Sequence, residues 1–256
     1  MIESIKKSFQ ILEILSNNES PCGVTELANI MKLDKSTVFR ILRTMKSKGY
    51  VEQLRDTKKY VMGIRILELS NKLMQKMEIA AIAKPMLKKL SQLSGESTHL
   101  AVLRRGKVIY IDRINSSEAV SIHTDIGDHE PVHCTGVGKA ILAFLPSEEI
   151  QNNLKETKAK SLEKFTGKTL TSISELEKEL KKIRGTGFAF DDEELYEGVR
   201  CLAAPIKNYR NEVIASLGIS GPINRITDQR ISHLAGLVVE IALKVSERLG
   251  SIVDNY

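Results

Sequence analysis

The chain has 256 residues, of which 42% are hydrophobic and 27% charged, and its formal net charge is +6. This composition indicates a folded protein of one or two domains and excludes a disordered chain. No apolar run approaches the ~18–20 residues that span a bilayer, and charged residues interrupt the apolar pattern of the N-terminus, which excludes a signal peptide. Three cysteines are too few for a disulfide scaffold, so we expect a cytoplasmic protein without membrane contact.

The N-terminal segment, 1–62, predicts three helices followed by a hairpin. Thr25 is the predicted cap of the second helix, and Asp34 that of the third, which starts near Lys35. Tyr50–Leu54 and Lys59–Val61 are predicted strands, since both are rich in β-forming residues and a polar turn separates them. The predicted core stripes are Ile5, Phe9, Leu12 and Leu15 in the first helix, and Val38, Ile41, Leu42 and Met45 in the third.

Positive charge is concentrated in this part of the chain. Segment 32–59 contains nine Lys or Arg and three Asp or Glu, so its net charge of +6 equals that of the whole chain. Helices followed by a basic hairpin are typical of a winged helix-turn-helix, whose third helix enters the DNA major groove. A three-helix domain that binds another protein is the alternative. The residues predicted to contact DNA are Thr25, Lys35, Ser36, Thr37, Phe39, Arg40, Arg43, Arg55, Lys58 and Lys59.

A helical linker over 63–78 is predicted to lead into a second domain over 79–256. Its apolar stripe could belong to the intramolecular core or to a dimer seam, and both readings stay open. The stripe consists of Ile66, Leu69 and Leu73.

The second domain predicts strands, a short helix before Pro146, a longer helix around 173–183 and a final helix over 231–249. We therefore expect an α+β domain, with helices covering one face of a mainly antiparallel sheet. The predicted strand regions are 97–106, 107–114, 119–127, 188–207 and 212–222.

Three elements of this domain could form a ligand pocket. Gly136 and Val137 open the short helix, where free N–H groups bind carboxylates or phosphates. Asp191 and Glu194 follow near the end of a predicted strand, and could accept hydrogen bonds from ligand hydroxyls or bind a metal. Cys201 and Ser220, on successive strand regions, add small polar groups. Each element alone also fits a plain turn or core position.

The stretch GVTELANIMKLDKSTVFRILRTMKSKGYVEQ resembles the DNA-binding domain of the IclR family of bacterial transcription regulators. The pattern Gly187-x3-Asp191-x2-Glu194-x6-Cys201 and the segment HCTGVGKAILAFLP resemble the hallmarks of the same family's effector domain. Phe39 departs from the pattern, because members usually carry a polar residue there. At this position only an apolar contact, such as one with a thymine methyl, is available.

The resemblance implies a winged helix-turn-helix, a helical linker and a GAF-like effector-binding domain. It places the effector contacts at Gly136, Val137, Asp191, Cys201 and Ser220, while Gly218 stands where some members have a second serine. The implied effectors are small carboxylates, sugar acids or aromatic acids. The implied assembly is a homodimer or homotetramer on double-stranded operator DNA.

The leading hypothesis is thus a repressor controlled by a small carboxylate or sugar acid, with no enzymatic activity and no cofactor. A thiol enzyme built on His133, Cys134, Cys201 and Asp191 is one alternative, although nothing in the sequence shows that these residues converge as a nucleophile, a base and an orienting group. A metal-responsive regulator is another, although the possible ligands lack a recognised spacing. Those ligands are His99, His123, His129, His133, Cys134, Asp191, Glu194 and Cys201.

Overall fold

The structure is a computed structural model that describes residues 2–122, 124–156 and 162–251. It forms two compact units, Met1–Met77 and Glu78–Tyr256, and each has its own hydrophobic core. Within the described residues, no helix combines the length and the apolar character needed to cross a bilayer.

The N-terminal unit combines helices with a two-stranded antiparallel sheet. The turn after its second helix is tight, because Lys32 adopts the left-handed conformation (φ 53°) and Leu33 N–H donates to Ala28 O at 3.0 Å. The next helix begins at Lys35 with Asp34 at the N-cap position, as predicted, but the Asp34 side chain makes no capping hydrogen bond. The elements are α1 (Glu3–Asn17), α2 (Val24–Met31), α3 (Lys35–Ser47), β1 (Val51–Gln53), β2 (Tyr60–Met62) and α4 (Arg65–Lys76).

The core side of α3 agrees with its sequence spacing. Val38, Leu42 and Met45 are buried, and Ile41 is partly buried against the same cluster. These residues recur at helical spacing, so they line one side of α3 and leave its polar side to solvent.

The prediction for α1 is only partly right. Leu15 is buried and Leu12 packs against the core, but Ile5 and Phe9 are exposed, Phe9 by 60%. Ile11, which lies outside the predicted stripe, is buried instead. Only the C-terminal half of α1 reaches the core. The predicted stripe of buried residues therefore extends too far towards the N-terminus of this helix.

The hairpin of β1 and β2 is tied to the chain that enters α2. Cys22 and Tyr60 exchange two backbone hydrogen bonds, of 3.0 and 2.8 Å. Gly63 follows the hairpin, and a Cβ there would overlap the carbonyl oxygen of Gly49. Helices, tight turn and hairpin together confirm the predicted winged helix-turn-helix.

The C-terminal unit confirms the α+β prediction. Its sheet has the order β5-β4-β3-β8-β7-β6 with antiparallel neighbours throughout. The elements are α5 (Glu78–Ser94), β3 (Ser97–Arg104), β4 (Lys107–Ile114), β5 (His129–Pro131), α6 (Gly136–Leu142), α7 (Ser147–Glu156), α8 (Ile173–Thr186), β6 (Ala189–Asp192), β7 (Val199–Lys207), β8 (Val213–Pro222) and α9 (Asp228–Arg248).

Helices cover both faces of this sheet, and the expectation of one covered face is wrong. On one face, Thr98 of β3 donates to Leu87 O of α5, which packs with α9. On the other face, α6 packs against β7, and a Cβ on Gly136 would lie 3.5 Å from the Cβ of Ala203. Alternation along the strands produces this arrangement, because successive side chains point to opposite faces and both sets include apolar residues.

The predicted strand over 119–127 is also wrong. Residues 119–122 and 124–127 are not in a strand, and the edge strand is His129–Pro131. Gly127 N–H donates to Tyr110 O (2.8 Å), and Asp128 N–H donates to Asp125 O (3.1 Å), which closes a turn just before β5. The segment preceding this turn forms a loop, and Ile122 and Thr124 of this loop line a cavity described below. Helix α7 was not predicted, since its sequence is mostly polar.

Candidate DNA interface and effector pocket

The polar side of α3 carries most of the predicted DNA contacts. Ser36, Arg40 and Arg43 are exposed, and their spacing puts them on one side of the helix. Lys35 is exposed in the first turn, whereas Thr37 is half-buried. Side chains of these types bind base edges and phosphates, so this side of α3 has the chemistry of a recognition helix.

Phe39 lies in α3 and is 49% exposed. An aromatic ring left this exposed beside Arg40 and Arg43 can contact an apolar group of a partner, such as a thymine methyl. Its contact with DNA stays a prediction.

The start of α2 differs from the prediction. The N-cap is Gly23 rather than Thr25, and the carboxylate of Glu26 accepts a hydrogen bond from Gly23 N–H at 2.6 Å. Thr25 is exposed in the first turn but does not cap the helix, because the helix starts before it. Glu26 also binds Lys59 Nζ at 3.2 Å, so the charge of Lys59 is partly neutralised within the unit.

The hairpin tip carries the remaining cations. Arg55 and Lys58 are exposed between β1 and β2, and Lys58 has a left-handed backbone (φ 58°). Both side chains are thus available to a phosphate backbone, which is the usual partner of a basic wing.

A cavity in the C-terminal unit gathers most of the predicted effector residues. Its empty volume is about 380 Å³, a figure that includes space open to solvent. Of the six predicted residues, Gly136, Val137, Asp191, Cys201 and Ser220 line this cavity, and Glu194 does not.

Strand pairing explains why three of these residues meet. Asp191 is the Cα partner of Cys201, and Cys201 is the partner of Ser220, so the three side chains share one face of the sheet. Cys201 Sγ lies 3.1 Å from Ser220 Oγ, which lies 3.5 Å from Nδ1 of His99. The result is a row of small polar groups across four strands.

Burial determines the protonation of two side chains that line the cavity, Asp191 and His99. Burial raises the pKa of Asp191 to about 7, and the nearby Glu194 adds to this shift, although Glu194 N–H donates to Asp191 Oδ1 at 2.8 Å. Burial also lowers the pKa of His99 to about 4, so its ring is neutral near pH 7. Asp191 therefore exists in both forms near neutral pH and can donate or accept a hydrogen bond.

The start of α6 supplies the donors that an anion would need. Thr135 is the N-cap, and its Oγ1 accepts from Gly138 N–H at 3.2 Å. The helix itself does not use the N–H groups of Gly136 and Val137, because they lie in its first turn. At Gly138 a Cβ would overlap the carbonyl oxygen of Val132, so this glycine is required for packing.

Glu194 has a different role from the predicted one. Its carboxylate pairs with the buried ammonium of Lys139, which also donates to Phe190 O at 2.7 Å. Burial raises the pKa of Glu194, while Lys139 opposes this shift. Glu194 Oε2 has no hydrogen-bond partner among the described residues. A buried ion pair below the cavity, rather than a ligand contact, accounts for this residue.

Several lining residues were not predicted as effector contacts. Tyr110 donates a hydrogen bond to Glu130, and the ring of His99 packs edge-on against Tyr110 with centroids 5.3 Å apart. His99 appeared in the sequence only as a possible metal ligand. The alternation along β3 puts it on the face of Ser97, but only the pairing of β3 with β8 brings it to Ser220. The other lining residues missed are Ile122, Thr124, Leu195, Tyr196 and Val199.

The missing serine at position 218 has a steric explanation. A Cβ on Gly218 would lie 2.7 Å from Leu202 O and 3.1 Å from Nε2 of His99. A serine would therefore require the His99 ring and the neighbouring strand to move.

The geometry supports neither the thiol enzyme nor the metal-responsive regulator. Burial raises the pKa of the Cys134 and Cys201 thiols, which disfavours the thiolate that a nucleophile needs. Within 2–122, 124–156 and 162–251, no three His, Cys, Asp or Glu side chains form a group that could hold a metal ion. Of the possible metal ligands, His123 lies outside the described residues.

Comparison with known proteins covers nearly the whole chain. Residues 4–55 match the IclR helix-turn-helix domain, and residues 71–247 match the domain described as bacterial transcriptional regulator IclR C-terminal. The transcriptional repressor IclR of Escherichia coli strain K12 is 33% identical over 253 residues, which are 98% of this chain and 91% of that protein.

Solved structures agree with the sequence matches. The crystal structure of Thermotoga maritima IclR is 28% identical with a TM-score of 0.80, covering 98% of this chain and 100% of the other. An IclR homologue from Microbacterium hydrocarbonoxydans, crystallised with 4-hydroxybenzoate, has the same fold at 23% identity, with a TM-score of 0.84 and coverage of 96% and 98%. This chain belongs to the IclR family of bacterial transcriptional regulators, whose members are not enzymes.

Proposed function

We propose that this regulator is a repressor that binds a palindromic operator and changes its operator affinity when a small carboxylate or sugar acid occupies the C-terminal cavity. The observation that carries the proposal is that one chain contains both an exposed cationic recognition helix and a small cavity lined by polar and apolar side chains. Since its partner would be chromosomal DNA, we assign the protein to the cytoplasm. The repressor mode is that of its E. coli relative.

Exposed apolar side chains in the N-terminal unit support a homodimer. Ile5 and Phe9 of α1 and Leu67 and Leu73 of α4 are all exposed by about half or more. Exposed apolar side chains on these two helices favour burial against a second copy. A two-fold dimer would place two recognition helices on symmetric half-sites, and a homotetramer would pair two such dimers.

The cavity favours an anionic effector that also carries hydroxyl or carbonyl groups. The first turn of α6 offers N–H donors for a carboxylate, while Asp191 and Ser220 offer partners for hydroxyls. The 4-hydroxybenzoate bound by the Microbacterium homologue is likewise a small acid with a hydroxyl group. An effector that prefers one arrangement of the DNA-binding units shifts operator affinity by its differential affinity for the two states.

The test is binding to the DNA upstream of the protein's own gene, at moderate salt and with random DNA as competitor. We expect preferential binding that one compound from a panel of small carboxylates and sugar acids changes. Equal binding to random DNA would contradict the operator function. Specific binding that no acid in the panel changes would contradict the proposed effector class.

Two substitutions separate base recognition from phosphate binding. We expect Arg40→Ala to weaken operator binding by ~1–3 kcal/mol and random-DNA binding much less, because a base contact is lost. Lys58→Ala should weaken both similarly and reduce the salt slope by about one. Titrations at several salt concentrations measure both effects. The control is Lys178→Ala, since Lys178 is an exposed residue of α8 in the C-terminal unit. Equal losses on both DNAs for Arg40→Ala would contradict its base-reading role.

A further inference from the structure

The turn between β1 and β2 places a lysine in a backbone conformation that suits glycine. Lys58 N–H donates to Leu54 O at 3.0 Å, and Leu54 N–H donates to Lys59 O at 2.9 Å. Between these two bonds Lys58 adopts a left-handed backbone (φ 58°), which is unfavourable for a residue with a Cβ. The hairpin tip therefore carries the exposed Lys58 side chain at a cost to stability, which is common at functional positions.

The carbonyl group of Lys58 is bound by a side chain. Within the described residues, no backbone N–H donates to Lys58 O. Nε2 of Gln53, in β1, donates to this oxygen at 3.0 Å instead. The contact holds the peptide plane that follows Lys58, so it also holds the direction in which the Lys58 side chain leaves the tip.

The other end of the Gln53 amide binds the recognition helix. Nζ of Lys46, in the last turn of α3, donates to Oε1 of Gln53 at 3.0 Å. Lys46 follows Arg43 by three residues, so the two are neighbours on the helix surface. An amide suits both contacts, since a carboxylate would lack the donor and an ammonium the acceptor. Lys46, Gln53 and the carbonyl of Lys58 thus form a chain, here named the wing brace, from α3 to the hairpin tip.

The cation that follows Lys58 is bound within the N-terminal unit. Nζ of Lys59 lies 3.2 Å from Oε1 of Glu26, whose Oε2 accepts from Gly23 N–H at 2.6 Å. The exposed Arg55 and Lys58, by contrast, have no carboxylate within ion-pair distance among the residues that the structure describes. These two cations of the tip are available to phosphate, so a displaced Lys58 would remove a large share of the contact.

We propose that Gln53 is a positioning residue for DNA binding, which holds Lys58 where its ammonium meets a DNA phosphate while α3 reads the major groove. Lys46 acts through the same brace rather than on DNA. A fixed spacing between α3 and the tip lets one docked position satisfy both contacts, so less conformational freedom is lost on binding. This role of Gln53 rests on the DNA contact of Lys58 within the proposed function.

The test is the salt dependence of DNA binding by the full chain. Fluorescence anisotropy would measure the affinity for a labelled random duplex, and for the DNA upstream of the protein's own gene, at about 50 and 200 mM salt. Each phosphate contact contributes about threefold to the ratio of these two affinities. We expect Gln53→Met to reduce the ratio about two- to threefold on both duplexes, as Lys58→Ala does, because methionine keeps the side-chain length without either polar group.

Double variants show whether the brace acts through Lys58. Once Lys58→Ala is present, adding Gln53→Met should lower affinity by less than about twofold, because the positioned group is already absent. Adding the surface substitution Lys46→Met to Lys58→Ala should have an equally small effect. Losses that add would mean instead that Lys46 binds a phosphate itself, or that Gln53→Met damages the whole unit.

Two further variants serve as controls. Gln92→Met makes the same chemical change at an exposed position of α5, and should leave DNA binding unchanged. Lys58→Gly should lose as much DNA affinity as Lys58→Ala but melt at a higher temperature, because glycine adopts the left-handed conformation without strain. Melting temperatures establish that each variant is folded, and Lys46→Met decides the question if Gln53→Met is not.

The outcomes separate this role from the proposed function. If Lys58→Ala reduces the salt dependence while Gln53→Met binds like the wild type, or if the losses add in the double variants, the role of Gln53 is overturned alone. If Lys58→Ala itself leaves the salt dependence unchanged, the wing contact of the proposed function fails and the role of Gln53 fails with it.

Discussion

Replacing Lys139 with Met should lower the free energy of unfolding by roughly 3–5 kcal/mol, because it leaves a buried carboxylate without its counter-charge. Lys139 is only 1% exposed, donates to Phe190 O and pairs with Glu194. Burial already raises the pKa of Glu194, so without the ammonium its charged form would be still less favourable. The loss should therefore grow as pH rises and Glu194 ionises. Urea unfolding between pH 5 and 8 measures this effect.

The matched control is an ion pair of the same type at the surface. Lys244 pairs with Glu240 within α9, and both side chains are about half exposed. Lys244→Met should cost less than about 1 kcal/mol, since exposed pairs contribute little. The double variant Lys139→Met, Glu194→Leu should recover part of the lost stability, because neither charge of this pair is left buried without its partner. Equal losses for Lys139→Met and Lys244→Met would contradict a stabilising buried pair.

Asp191→Asn should remove a pH dependence of stability worth up to about 4 kcal/mol. Burial raises the pKa of this carboxyl from 3.8 to about 7, so the folded state binds a proton that the unfolded state has already lost. The stabilisation is complete below the unfolded value and disappears as pH rises through about 7. Asparagine keeps an oxygen for the Glu194 N–H but never ionises. Unfolding free energies at pH 5 and pH 9 should therefore converge in the variant relative to the wild type.

The next residue along β6 supplies a control of opposite sign. Burial alone would raise the pKa of Asp192, but hydrogen bonds from Lys168 and Arg200 outweigh it and lower the pKa. Asp192→Asn should destabilise the protein near neutral pH, and this loss should vanish as acid protonates the wild-type carboxyl. If Asp191→Asn and Asp192→Asn changed the pH profile in the same direction, burial would not be the cause of the Asp191 shift.

The sequence within an element was sufficient to predict that element where its own residues mark its buried side or its ends. Helix α3 was predictable because it has one regular buried side. Strand β4, at 107–114, was predictable because a run rich in β-forming residues follows the turn residue Gly106. The loop before β5 was not predictable in this way. Its alternating residues resemble a strand, but a turn at Gly127 diverts the chain across the sheet.

The residues of the cavity were predictable only in part, because some of them come together only when strands pair. Asp191, Cys201 and Ser220 were identified as polar residues on strand regions, and the resemblance grouped them. The place of His99 in the cavity depends on which strands are neighbours and on their register, which the sequence of a single strand does not contain. Glu194 was assigned to the ligand because its partner, Lys139, is fifty-five positions away in the chain.

The sheet of the C-terminal unit ends on both sides in its shortest strands. β5 has three residues and β6 has four, whereas the four inner strands have eight to ten. Both outer strands also carry acidic side chains, Glu130 on one and Asp192 on the other. Short, charged edges offer little backbone for another molecule to extend, which guards against amyloid-like stacking. The edges of this sheet therefore limit open-ended strand addition between copies of the chain.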